Sequence, residues 1–241
     1  MSNAFKDKNT FDENITGWDV SNVSNMINMF DAASAFNQPI GDWNTSAVTN
    51  MTDMFKSTNA LSNSYKGLIH TSFSSNSNWP YDWRPFVVIN DANFQTAVNL
   101  WFSNQADANA TYGHIKDWNV SGVTNLDSAF ENRVSFNEDI SDWNVSNVTS
   151  MKYTFYRAES FNRDIAGWDV SAVTDMNYTF MRAYAFNQDI GDWNVSNVTA
   201  MKSMFKNATV FNQDIGRWDV SNVHDMSYMF SDATSFNQDV G

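Results

Sequence analysis

Residues 186–208 read FNQDIGDWNVSNVTAMKSMFKNA, and the string returns one period away on either side, as FNRDIAGWDVSAVTDMNYTFMRA at 161–183 and FNQDIGRWDVSNVHDMSYMFSDA at 211–233. Working outward, tryptophan keeps the same interval of 25 at Trp18, Trp43, Trp118, Trp143, Trp168, Trp193 and Trp218. Valine holds Val23, Val48, Val123, Val148, Val173, Val198 and Val223, and phenylalanine holds Phe30, Phe55, Phe130, Phe155, Phe180, Phe205 and Phe230. A fixed period of this length is the signature of stacked repeats, in which each turn touches only its neighbours and the core runs along one axis.

Within one turn the pattern changes period. Ile190, Trp193 and Val195 read as a short strand entered through the bend Gly191-Asp192. Met201, Met204, Phe205 and Ala208 then fall at i, i+3, i+4 and i+7, the spacing of one helix face, with Thr199 placed to cap it. The expected coil is strand, turn, short helix and return loop. If strands of neighbouring coils pair in parallel, equivalent tryptophans stack roughly 4.8 Å apart, and the Trp, Val, Met and Phe columns form the core.

Composition narrows the function classes. The 241 residues carry 27 acidic and 14 basic side chains, a formal net charge of -13. That balance argues against nucleic acid and against an anionic membrane surface, both of which need a Lys/Arg footprint. No apolar run approaches the roughly 18 residues of a membrane span, and MSNAFKDKNT lacks the regions of a signal peptide. With no cysteine there is no disulfide framework and no thiolate nucleophile.

The string NQDIGDWNVSNVTAMKSMF resembles the repeat of the BspA-like leucine-rich-repeat surface proteins, over residues 1–60 and 114–241. The resemblance implies an α/β, right-handed leucine-rich-repeat-like solenoid at a cell surface or outside the cell, with adhesion or partner binding as its role. Trp, Val, Met and Phe stand here where those repeats use Leu.

Between the arrays the frame survives but the motif is lost. Residues 61–85, with LIHTSFSSNSNWPYDWRPF beginning at Leu68, read as a junction closing a first array at 1–60. Residues 86–113 read as an internal helical cap of the second array, 114–241. There Asp91 is an N-cap, and Phe94, Ala97, Val98, Trp101 and Phe102 form the apolar face of a helix expected at about 91–104. An open end of an array exposes its apolar spine, so a flanking amphipathic helix is expected there. Met1 falls in the Met column, and MSNAFKDKNTFDENI parallels LDSAFENRVSFNEDI at 126–140. The frame suggests a piece of a longer chain with further copies of the module, or a short chain whose ends associate head to tail.

Chemistry-bearing residues are sparse. His70, His114 and His224 fall at unrelated phases and read as structural, and nothing resembles a nucleophile or phosphate-binding motif, so the expectation is no enzyme. Asp139, Asp164, Asp189, Asp214 and Asp239 recur at the same interval, an oxygen-rich edge that makes them candidate Ca²⁺ ligands, with no other cofactor expected. Function belongs to columns that vary. Tyr153, Tyr156, Tyr178, Tyr184 and Tyr228 lie in such columns and are candidate contacts for a protein partner, or for a glycan, at a cell surface. A structural spacer or filament subunit is the third reading.

Overall fold

In the computed structural model, residues 1–240 are described. The coil follows the period read from the sequence, but it is built from turns rather than from a strand and a helix. Among the described residues the α-helices are α1 (Asn63–Phe73), α2 (Phe94–Ser103) and α3 (Gln105–Tyr112), all between the arrays. Strand pairing is reduced to isolated parallel bridges such as Asn125↔Ser150, Ser150↔Asp175 and Asp175↔Ala200. The expected strand and helix in each leucine-rich-repeat-like turn are therefore both overturned.

Backbone hydrogen bonds explain the difference. Around Trp193, the Trp193 N–H donates to Ile190 O at 3.1 Å and Val198 N–H to Val195 O at 2.9 Å, so the expected strand is two tight turns. Asp189 and Asn194 accept from the backbone N–H of Gly191 and Ser196, two residues on, and hold each turn by its own side chain. The Met-Phe segment is a ribbon of four-residue units. In 26–29 and 30–33, Met29 N–H donates to Met26 O and Ala33 N–H to Phe30 O. The third residue of each unit, Asn28 and Ala32, has positive φ (51° and 57°), as in a type II turn. Each unit buries its first and fourth residues, here Met26, Met29, Phe30 and Ala33. Two four-residue units thus reproduce the i, i+3, i+4, i+7 spacing of a helix, and over so short a stretch the two periods are indistinguishable.

The amides that a helix would use internally point along the stack instead. Met26, Asn28, Phe30 and Ala32 donate to Asn50, Thr52, Met54 and Lys56 of the next coil at 2.8–3.0 Å. Thr199 caps no helix: its N–H and its hydroxyl both donate to Thr174 O of the preceding coil. Among the described residues, all sixteen non-glycine positions of positive φ fall in the two columns of Asn28 and Ala32, and ten of them are Asn, Asp or Ser. Short polar side chains accept that conformation most readily.

The chain forms two compact units. The first comprises Met1–Val88 and Asn104–Gly113. Phe5, Phe30 and Phe55 stack along it at 5.5 and 5.4 Å. Trp79, Tyr81 and Trp83 cover Phe55, and the Tyr81 hydroxyl accepts from Phe55 N–H at 2.7 Å, taking the place of the next coil's carbonyl. Helix α1 starts at Ser62, whose hydroxyl accepts from Tyr65 N–H, and buries Ile69, His70 and Phe73. It is seated through Gly67, where a side chain would meet the Phe86 carbonyl at 2.2 Å.

The second unit comprises Ile89–Ser103 and His114–Gly241. Two phenylalanine ladders run through it: Phe130, Phe155, Phe180, Phe205 and Phe230 at 5.4–5.7 Å, and Phe136, Phe161, Phe186, Phe211 and Phe236 at 5.6–6.1 Å. Within a coil the two rings lie 4.0–4.1 Å apart. The tryptophans are more widely spaced than expected, at 6.1 Å for Trp118–Trp143 and 6.5 Å for Trp143–Trp168. Each coil is also tied to its predecessor through the indole: Trp143, Trp168, Trp193 and Trp218 Nε1 donate to Ile115, Ile140, Ile165 and Ile190 O at 2.8–3.1 Å.

Helix α2 closes the start of this stack. Phe94, Ala97, Val98 and Trp101 are buried, and Trp101 and Phe102 meet Trp118 and Phe136 edge-on. Asp91 does not act as the cap read from the sequence. It lies three residues before α2 and accepts from Thr124 N–H at 2.8 Å, the Thr124 hydroxyl at 2.6 Å and Asn125 N–H at 3.2 Å. In later coils the Thr149 N–H and hydroxyl find the preceding coil's carbonyl. The Asp91 carboxylate stands in for that missing carbonyl, and these hydrogen bonds, that of the Thr124 hydroxyl foremost, hold its pKa below the ordinary carboxylate range.

Candidate binding surface

The turn ribbon decides which residues face outward. Its second and third positions point away from the core, so in the three central coils of the second unit the outward set is Lys152, Tyr153, Tyr156, Arg157; Asn177, Tyr178, Met181, Arg182; and Lys202, Lys206, Asn207, with Ser203 buried at the corresponding position. The inward partners Met151, Thr154, Phe155 and Ala158, and their equivalents in the next two coils, are buried. This face holds five cations, three tyrosines and no carboxylate, on a chain with almost twice as many acidic as basic residues. The coil before it presents Asp127 and Glu131 at the same positions, and the coil after presents Asp232.

Three of the five candidate tyrosines come together. Tyr153 and Tyr178 stack with ring centroids 4.5 Å apart and planes inclined by 2°, and Tyr156 packs edge-on to Tyr153 at 5.7 Å. Lys152 lies over the Tyr153 ring at 5.7 Å. Burial, followed by the neighbouring Tyr178, pushes the Tyr153 hydroxyl pKa up. Tyr228 lies two coils beyond Tyr178, with buried Ser203 in the intervening position, and is 65 % exposed with Lys206 over its ring. Tyr184 follows the ribbon and is 38 % exposed. The cations of the face were not singled out from the sequence, although the column alignment that contains the tyrosines contains them too.

The aspartate column serves the turns. Asp139 accepts from Ser141 N–H and hydroxyl at 3.1 and 2.7 Å, which lowers its pKa. Asp164, Asp189 and Asp214 accept from the N–H of Ala166, Gly191 and Gly216 at 2.9–3.0 Å, and Asp239 also has a partner within the chain. Among the described residues no three His, Asp or Glu side chains converge as a metal site. Of the histidines, His70 is buried: its Nδ1 accepts from Trp79 Nε1 at 2.9 Å and its Nε2 lies 3.0 Å from Ala110 O, so the ring is neutral with the proton on Nε2. Burial lowers its pKa. His114 caps the short turn at Ile115–Asp117, and His224 continues the Thr column.

Open hollows of about 410 and 370 Å³ lie in the first unit, and their Asn and His side chains are already hydrogen-bonded: Asn76 to Thr45 O and Val48 O, and His70 as above. Neither joins a nucleophile to a base. The richest outward chemistry is the Tyr-Arg-Lys face.

Comparison with known proteins gives one family. No curated relative and no solved structure matches the chain. The model of the DUF285 family, described as a Mycoplasma protein of unknown function, matches residues 1–80, 96–196 and 167–241. Those segments cover both arrays and most of the segment between them, so the repeat part of the expected kinship holds, and the chain belongs to the DUF285 family of repeat proteins.

Proposed function

We infer that this chain is a non-enzymatic binding module that holds a partner protein against the outward face of its turn ribbon, centred on Tyr153 and Tyr178, and that it does so in adhesion at a cell surface. The observation that carries the reading is the Tyr153–Tyr178 stack, set among Arg157, Arg182 and Met181 at outward positions that carry no Asp or Glu in these three coils. Tyr, Arg and Met are the residues enriched where protein partners meet, and Asp and Glu are depleted there. Ordered aromatic rings also lose little entropy on binding. The glycan reading draws support from the exposed Tyr184 and Tyr228, but a sugar needs a free ring face, and stacking consumes the inner faces of Tyr153 and Tyr178.

The test replaces both central tyrosines by serine, the residue that occupies the same column at Ser128 and Ser203. Tyr153→Ser with Tyr178→Ser should keep the fold by thermal unfolding and lose the proteins that the parent chain retains from an extracellular extract. Identical retention by both, or binding on a glycan array in place of protein, would refute the reading.

A further inference from the structure

We propose that the partner element seated on this face is a short acidic peptide segment, carrying Asp or Glu side chains and only long enough to cross three coils. The inference rests on the binding role assigned above and names the chemistry of the occupant. Five cations face outward in three consecutive coils, and among the described residues only Arg157 of these has a carboxylate within 4.0 Å of its charged group, Glu159 at 3.9 Å. That distance is too long for a hydrogen bond, and the Arg157 Nε is buried without an acceptor. Lys and Arg are hydrogen-bond donors only, so the exposed parts of these five side chains suit an acceptor-rich, negatively charged ligand.

Several anionic ligands share that chemistry, and the geometry chooses among them. Asp127 and Glu131 close one end of the face and Asp232 closes the other, so a long polyanion would run from the cations onto carboxylates. The three coils are spaced like the Phe155–Phe180–Phe205 rings, 5.4 and 5.7 Å apart. With the reach of the side chains at each end, that span holds roughly five extended residues at about 3.3 Å each. Carboxylates at alternate positions of such a segment recur at intervals of about 6.6 Å, close enough to the coil spacing for Arg157 and Arg182 to take successive acids. The tyrosine hydroxyls add polar edges beside them.

The test measures binding of a fluorescent hexaglutamate peptide at low ionic strength, with hexalysine, a sulfated oligosaccharide and long polyglutamate as competitors. Hexaglutamate should bind, weaken as salt rises, and lose at least tenfold in affinity in Arg182→Glu with Lys206→Glu, while Arg163→Glu with Arg217→Glu, at basic residues outside the ribbon, changes it less than twofold. Both variants should unfold at the temperature of the parent. No binding, equal loss in both variants, or tighter binding of the sulfated oligosaccharide or of long polyglutamate per chain would each overturn the proposal. If the tyrosine variants abolish protein retention while the charge reversals leave it intact, the binding role stands and the acidic segment is wrong.

Discussion

The residue with the largest structural duty is the tryptophan of each coil, because it fills the core and ties two coils together. Trp168 is 3 % exposed and its Nε1 donates to Ile140 O at 3.0 Å. Trp168→Ala should cost about 3–5 kcal/mol of unfolding free energy in chemical denaturation. Trp168→Phe keeps an aromatic ring but removes the indole hydrogen bond, leaving Ile140 O with the Trp143 N–H alone, so about 0.5–1.5 kcal/mol should remain lost. If the phenylalanine variant matched the parent, the indole hydrogen bond would contribute nothing. A second substitution separates the turn ribbon from a helix. Ala32 has φ of 57°, a conformation that costs an L-residue about 1–2 kcal/mol, which exceeds the extra chain entropy lost by glycine. Ala32→Gly should therefore stabilise the first unit by up to about 1 kcal/mol, whereas in a helix it would destabilise by a similar amount. The sign of the shift in denaturation midpoint decides.

At the scale of elements, each array is finished by side chains that imitate the coil that is not there. The Tyr81 hydroxyl accepts the Phe55 N–H, and burial raises its pKa to about 12, so it stays protonated at any ordinary pH. Asp91 accepts the N–H of Thr124 and Asn125, and Asp91→Ala should speed hydrogen exchange at those two amides while leaving the amides of the Phe180 coil unchanged. Because the folded pKa of Asp91 is lowered, its stabilisation is present above the unfolded carboxylate value and is lost as pH falls through the folded one, so acidification below about 4 should mimic the alanine variant. His70 acts in a different window. Its pKa is lowered by burial, so the neutral ring stabilises the first unit above the unfolded value of about 6.5, and that contribution declines as pH falls below it. Thermal unfolding between about pH 6.5 and 5 should show a falling transition that flattens in His70→Gln. An unchanged slope would place the sensitivity elsewhere.

For the whole molecule, nearest-neighbour stacking makes the coil a removable unit. Deleting residues 176–200 joins Asp175 to Met201 and leaves every column in register, so the shortened chain should fold cooperatively with lower stability, by circular dichroism and thermal scan. Deleting only 176–187 would set Trp193 against a foreign column and should unfold the stack beyond it. The net charge of -13 also predicts a general response to ions. Calcium and magnesium should raise the melting temperature alike and Asp189→Asn should leave that response intact, since the aspartate already accepts the Gly191 N–H and asparagine can do the same. A saturable calcium-specific rise, absent in Asp189→Asn, would instead make the column a binding site.

The sequence by itself determined the period and the inward columns, because a buried position repeated from coil to coil is occupied by Trp, Val or Phe whatever the backbone between them does. It also placed a helix between the arrays, where Phe94, Ala97, Val98 and Trp101 need a surface to cover. The tertiary structure alone decided the conformation of the coil. Met26, Met29, Phe30 and Ala33 fit either a helix or two type II turns, and local spacing does not distinguish them. What separates them is where the amides of Met26, Asn28, Phe30 and Ala32 find acceptors, and those acceptors are supplied by the next coil, at Asn50, Thr52, Met54 and Lys56. The outward positions of the tyrosine face are the ones the buried spacing leaves over in either conformation; what the tertiary structure adds is the stacking of successive coils, which lays Tyr153 on Tyr178 with ring centroids 4.5 Å apart.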